Sequence, residues 1–466
     1  MRRRRLGAWA VVGLSIGLLF VSARQACPQG GPAEAFAAPS LQALGKTQDL
    51  DEPLKAFRGG DVGGALLGLR AAVKKNPDLP PPQLIMAAWL AEFSQTGMAR
   101  NFLEQAVAEW PDDPEAYLIL ADLAARERQA TEASLLLAKA HEVLAGAKIS
   151  PKRTAILKRR ILAGLASMAD ARRDWKESQK YLEALLAEDP KNAAAWEQLG
   201  RVLFHLKPEE ALAKLQEAAK LDPGILAPEA TLAQLHQQSG DVKNAAKWIL
   251  AAIEARPKDA KVRRVAAQWC LEVGGPKQLA QAEVQADAAV QLDPDSAANQ
   301  IVRGMVAMVR KEYKTAEEAL GKAHLLAPGN FAAISNLALA LAEQDSAAKK
   351  PDGAAKKQDS AAKKRLALEY AQVLVRLFPD QPEAAATLGW TLYRLGRLEE
   401  AEASLRKAMS AGTASPETYY FYARVLADRG NKEGAKKLVE AALRMPPKGP
   451  FLWRADAEAL AKELSK

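Results

Sequence analysis

Residues 382–415 read PEAAATLGWTLYRLGRLEEAEASLRKAMSAGTAS, and residues 416–449 read PETYYFYARVLADRGNKEGAKKLVEAALRMPPKG. Offset by 34 positions (416 − 382), the two lines match in kind. Pro382 lies over Pro416, Leu388 over Tyr422, Gly389 over Ala423, Leu392 over Leu426 and Gly396 over Gly430. Ala401, Leu405 and Ala408 lie over Ala435, Val439 and Ala442. On either side of Gly396 and Gly430 the apolar residues recur three and four apart, the spacing of one buried helix face. The glycine between them marks a tight turn. Each line therefore predicts two helices joined by a turn. So small a unit cannot cover its own apolar face, and it must stack on a neighbour.

The same spacing extends towards the N-terminus. Prolines closing an apolar run stand at 77, 111, 190, 223, 257, 294, 328, 379 and 447, with gaps of 34, 79, 33, 34, 37, 34, 51 and 68. Twelve residues before a proline stands Ala65, Ala99, Ala245, Ala282, Ala316 or Ala367. Five before it stands Ala72, Ala106, Ala218, Ala252, Ala289 or Ala323. Small residues there let two helices approach closely. Trp196, Leu199, Gly200, Ala211, Leu215, Ala218 and Pro223 carry the pattern with one residue fewer at the turn.

On these residues the chain resembles the tetratricopeptide repeat family, whose pattern is W-x2-L-G-x2-Y followed by A-x3-F, A and P. The resemblance implies an all-α fold: a right-handed superhelical solenoid of about eleven helix-turn-helix repeats. The registers are 46–79, 80–113, 114–147, 159–192, 193–225, 226–259, 260–296, 297–330, 331–381, 382–415 and 416–449. In the first, Pro53 is expected to break the opening helix. Residues 148–158 either extend the next helix or form a hinge, and the basic residues from Lys152 to Arg160 read as a solvated face. A low-complexity insert at 343–365 splits the ninth repeat. Its unit Asp345-Ser346-Ala347-Ala348-Lys349-Lys350 recurs from Asp352 and from Asp359, and it has no large apolar residue to bury. Residues 450–466 read as a capping helix with Phe451, Leu452, Ala455, Ala459 and Leu460 inward.

The first 23 residues read as an address. Arg2 to Arg5 precede an apolar run from Leu6 to Val21, and Val21-Ser22-Ala23 offers a small-residue cleavage site. This is the layout of a bacterial secretory signal, so the body is expected to be exported to the periplasm or cell envelope. An uncleaved inner-membrane anchor at 6–23, a lipid attachment at Cys27 and a twin-arginine route stay open as alternatives. Residues 24–45, rich in Gly, Pro, Ala and Gln, read as a linker.

Chemistry is sparse. Two cysteines exclude a disulfide scaffold, and the four histidines have no partners at metal or triad spacing. No phosphate loop, nucleophile elbow or zinc-protease motif is present. No enzyme, metal or cofactor is expected. The net charge is +9, and without Arg2 to Arg5 it is 9 − 4 = +5, too little to argue for nucleic acid. A membrane contact is expected only through the N-terminal segment, if retained.

Surface remains, and with it a protein or peptide partner. By the resemblance, positions 2, 5, 9, 12 and 13 of each first helix line a concave groove. They hold Glu115, Asp122, Arg126, Asp170 and Arg201 early, then Gln234, Gln237, Arg264 and Gln268. From 297 onward they become Ile301, Met305, Met308, Leu339, Trp390, Tyr393, Arg394, Tyr420 and Arg424. Aromatic residues, Met and Arg are the types enriched in interface cores. These nine are the expected partner-binding residues, with Trp390 either their anchor or a packing residue between repeats. None of the eleven ninth positions is Asn, which argues against a receptor for chaperone tails. The function expected is a non-enzymatic scaffold outside the cytoplasm. The alternative is an accessory subunit of a cell-envelope assembly or polysaccharide-export machine.

Overall fold

The computed structural model describes residues 48–466, apart from 94, 128, 345–353, 413, 446–450 and 466; of the side chains of 354–359 nothing is described. The expected signal segment and the expected linker therefore lie outside the described residues. Two compact units divide at residues 228 and 229.

In the first unit the helices pair as α1 (Asp51–Arg58) with α2 (Val62–Lys75), α3 (Pro82–Glu92) with α4 (Thr96–Glu109), and α5 (Pro114–Arg126) with α6 (Ala130–Leu144). They continue as α7 (Pro151–Ala171) with α8 (Trp175–Glu188) and α9 (Ala193–Leu206) with α10 (Pro208–Leu221). The second unit takes up α11 (Pro228–Gln238), followed by α12 (Val242–Ala255), and pairs α13 (Ala260–Val273) with α14 (Pro276–Leu292) and α15 (Ala297–Val309) with α16 (Tyr313–Leu326). Then come α17 (Phe331–Glu343) with α18 (Ala354–Leu377), α19 (Pro382–Arg394) with α20 (Leu398–Ser410), and α21 (Pro416–Asp428) with α22 (Lys432–Arg444). A last helix, α23 (Arg454–Glu463), closes the chain. Among the described residues there are no strands. Among the described residues, these helix pairs and one terminal helix make an all-α solenoid of repeats.

Local chemistry explains the boundaries. Side chains of Asp61, Asp174, Asn192, Asp241, Ser296, Asn330, Ser415 and Asn431 each accept from a backbone N–H of a first turn. Pro82, Pro114, Pro151, Pro208, Pro382 and Pro416 open helices where their missing N–H costs nothing. Pro53 does not break a helix: α1 starts at Asp51, so Pro53 falls in the first turn, where it is tolerated. Residues 151–158 extend α7 rather than forming a hinge. From Ala354 the insert is helical and continuous with α18, as its Ala and Lys content favours.

Each pair closes through a small residue. A Cβ built on Gly389 would lie 2.6 Å from Leu405 Cγ, and on Gly304 2.4 Å from Leu320 Cγ. Glycine there lets a leucine of the second helix seat against the first helix. The turn between the helices has its own rule. Gly60, Gly240, Gly396 and Gly430 have φ of 87°, 81°, 78° and 84°, all at the fifteenth position of their registers. Arg173 and Lys311 occupy that position with φ of 60° and 61°, a conformation costly for a residue with a Cβ.

In the second unit, α13, α15, α17, α19 and α21 pack on one another in succession, while second helices reach onward through the next first helix. First helices are thus closer together than second helices, which puts them on the inner side of the curve. The core of the second unit's C-terminal half includes Ala316, Leu320, Ala367, Leu405, Val439 and Leu460.

Candidate partner-binding surface

The inner face of the last repeats is filled. Trp390 is 3% exposed. Its ring stacks on Phe421 at 4.3 Å and on Tyr393 at 4.9 Å, with Tyr420 at 5.7 Å and Trp453 at 6.4 Å. Its Nε1–H donates to Glu343 Oε1 at 2.8 Å. Glu343 also faces Arg394, whose Nε lies 3.6 Å away. Tyr393 donates its hydroxyl proton to Asp428 Oδ2 at 2.6 Å, and Arg424 Nε donates to the same hydroxyl at 3.2 Å. Burial raises the Tyr393 and Tyr420 pKa values, so both phenols stay protonated.

The nine expected contact residues therefore divide. Trp390, Tyr393, Arg394, Tyr420 and Arg424 come together in this cluster. Ile301 packs apart from it with Ala323 and Ala333, and Met305 is half-buried beside Ile301 and beside Val302 and Val306. Met308 and Leu339 sit in the core. Ile301, Met308, Leu339, Trp390 and Tyr420 are buried, so none of these five presents an open contact surface in this state. The physical reason is lateral. Inner-face side chains of adjacent first helices meet one another, and α23 closes over the aromatic ones.

The middle repeats differ. Arg264, Gln268 and Glu272 stand at i, i+4 and i+8 of α13, one above another on its inner face. All three are half-buried. No described carboxylate lies within ion-pair distance of Arg264, and burial lowers its pKa against the pull of Asp259. Burial pushes the Glu272 carboxyl up to about 7, opposed by a hydrogen bond from Gln237 on α11. Gln237 Oε1 and Trp269 Nε1 are buried without a described partner. Desolvated polar groups left without partners are rare and costly. Sequence reasoning named Arg264 and Gln268 but missed Glu272, although it occupies a groove position of its register.

In the first unit the early groove positions are used internally. Arg153 Nη2 lies 2.9 Å from Asp113 Oδ2 and 2.7 Å from Glu115 Oε2, with all three side chains buried. Burial opposes the Arg153 charge, but the two carboxylates outweigh it and raise its pKa. Arg153 thus joins the start of α7 to the start of α5 rather than facing solvent. Arg160 pairs with Asp122 at 2.8 Å. Lys158 pairs with Glu188 at 2.5 Å.

Elsewhere the reactive groups are quiet. Cys270 is buried, and burial pushes its thiol up to about 11. His205 stacks on Trp175 at 4.2 Å, and burial lowers its pKa. Among the described residues no group of His, Cys, Asp and Glu could hold a metal ion, and no helix is long and apolar enough to cross a membrane.

Two family models, both described as "Tetratricopeptide repeat", match the chain, one at 96–145, 164–225 and 353–416 and the other at 230–259. The chain is a protein of tetratricopeptide repeats. No curated protein matches it. Among solved structures it is similar to a tetratricopeptide repeat protein from Parabacteroides merdae, at 12% identity and a TM-score of 0.42, covering 66% of this chain and 99% of that one. It is also similar to the TPR protein TTC0263 of Thermus thermophilus, at 17% identity, 42% and 98% coverage and a TM-score of 0.35. Yeast Tom70 matches over 90% of this chain and 95% of its own, at 14% identity and a TM-score of 0.35. As an array of such repeats, the chain is a protein-interaction scaffold.

Proposed function

We propose that this protein is a non-enzymatic scaffold that works outside the cytoplasm and holds a protein partner along the inner face of its repeats. The export part rests on Arg2 to Arg5, the apolar run to Val21 and the Val21-Ser22-Ala23 site. The binding part rests on the polar stripe of α13. Arg264, desolvated and lacking a carboxylate, is completed by an acceptor from outside, and Gln237 Oε1 by a donor. A partner segment lying across α11, α13 and α15 supplies both, with the half-buried Met305 beside it as an apolar contact. The residues at 390–424 contribute after their cover is moved.

The test is recovery of the partner from membrane and periplasmic extracts on full-length protein, comparing wild type with Arg264→Glu. The expected result is one stoichiometric partner on wild type and at least a tenfold loss on Arg264→Glu, with unchanged melting. Equal recovery on both would remove the stripe from the site. Recovery of a whole envelope complex would make the chain an accessory subunit of that machine.

A further inference from the structure

Helix α23 does more than follow α22. Trp453, just before it, meets Phe421 edge-on at 4.8 Å. Asp456 Oδ1 lies 2.7 Å from Nζ of Lys311, which stands 145 residues earlier at the end of α15. Glu463 Oε2 lies 3.6 Å from Arg424 Nη1. Trp390 and Arg424 are ninth positions of first helices, and Lys311 is the turn residue of the eighth repeat. Besides packing on α22, the segment thus reaches side chains of three repeats, the eighth, tenth and eleventh, whereas a helix that only prolonged the stack would meet the last repeat alone.

The seat has a definite chemistry. Trp453, Ala457 and Leu460 are buried, and Leu464 is half-buried, so one stripe at i, i+4, i+7 and i+11 joins the core that holds the aromatic cluster, with Trp453 in contact with its rings. The stripe is flanked by two carboxylates, Asp456 and Glu463, each opposite a cation. The inward face differs from the sequence expectation: Ala455 and Ala459 are exposed, because Trp453 sets the phase of the helix. Both ion pairs are solvent-exposed and add little stability, but they fix direction and register. A helix of ten residues is marginal by itself, so α23 depends on tertiary contacts, those with α22 and those of this seat.

We propose that α23 is an internal occupant of a partner-binding surface. The inner face of 297–428 takes an amphipathic helical segment with an aromatic residue, a carboxylate three positions on, a leucine seven on and a carboxylate ten on. A partner segment of that chemistry competes with α23 for Phe421, Trp390, Lys311 and Arg424. This deepens the scaffold reading by naming the partner's chemistry, but its test needs no external partner.

The test uses a labelled peptide of residues 450–466 and fluorescence anisotropy with full-length proteins. In the variant Trp453→Ala/Asp456→Lys/Glu463→Lys the seat is vacated. The peptide should bind this variant at least twentyfold more tightly than it binds wild type. Adding Lys311→Glu should weaken that binding at least fivefold, and Asp456→Lys in the peptide should restore it. A folded triple variant that binds the peptide no better than wild type would overturn the proposal. Amide exchange on wild type decides it even if the triple variant does not fold. Amides of 457–463 should exchange at least 100-fold faster than those of α19 and α21, and equal protection would show a fixed cap instead. Failure here leaves the α13 stripe standing, and failure at Arg264 leaves this proposal standing.

Discussion

Trp390→Ala should destabilise the second unit by about 4 kcal/mol. The indole is 3% exposed and sandwiched between Phe421 and Tyr393, so its removal leaves a cavity that the stacked first helices cannot close. Large-to-small changes of this kind cost ~3–5 kcal/mol. That total includes loss of the Nε1–H bond to the Glu343 carboxylate, about 1.5–3 kcal/mol for a bond to a charged group. Trp390→Phe separates the two terms. It keeps much of the ring stacking and loses chiefly the donor, so it should cost ~1.5–3 kcal/mol. Urea unfolding followed by far-UV circular dichroism measures the loss, and near-UV dichroism reports whether the aromatic cluster goes first. Because contacts in a repeat array are between neighbours, the damage should stay in the second unit. A loss below about 1 kcal/mol for Trp390→Ala would refute the packing account. So would equal losses for Ala and Phe.

Three further outcomes follow from the same structure. Arg153→Met strands the buried carboxylates of Asp113 and Glu115 and should cost ~3–5 kcal/mol, whereas adding Asp113→Asn and Glu115→Gln should recover most of it; urea melting of both variants checks this. Arg173→Gly relieves a φ of 60° and should raise stability by about 1 kcal/mol, read as a higher melting temperature. Glu272 and Glu417 have carboxyls pushed up to about 7 from an unfolded value of 4.5 by burial, so the folded chain holds their protons more tightly. Their contribution is full below 4.5 and is lost as pH rises through 7, so stability should fall between about pH 5 and about pH 8. Glu272→Gln/Glu417→Gln should flatten that slope, and an equally steep slope in the double variant would contradict it.

Much of the fold was legible because its determinants are local and periodic. Gly389 and Leu405 lie sixteen residues apart (405 − 389), and the same pairing recurs as Gly304 with Leu320. A period that repeats its own packing rule can be read from one line of sequence. The site was less legible because its determinants are not local. Arg153 looked like part of a solvated basic face, since its carboxylates lie 40 and 38 residues earlier and meet it only after stacking. Lys311 and Asp456 are 145 residues apart, and no period links them. Position within the repeat identified Trp390 as inner-facing. It did not say that Phe421, Tyr393 and the segment at Trp453 would cover it. Nor did it say that the cations Lys311 and Arg424 would be met by the chain's own Asp456 and Glu463 beside Trp453.

Photo-crosslinking in the native host tests the central claim most directly. A benzophenone amino acid at Gln268 places the probe on the inner face, and one at Leu250, 68% exposed on the second helix α12, places it outside. A scaffold that grips through its inner face should give a discrete crosslinked partner from Gln268 and none from Leu250. A partner captured from Leu250 and not from Gln268 would contradict it.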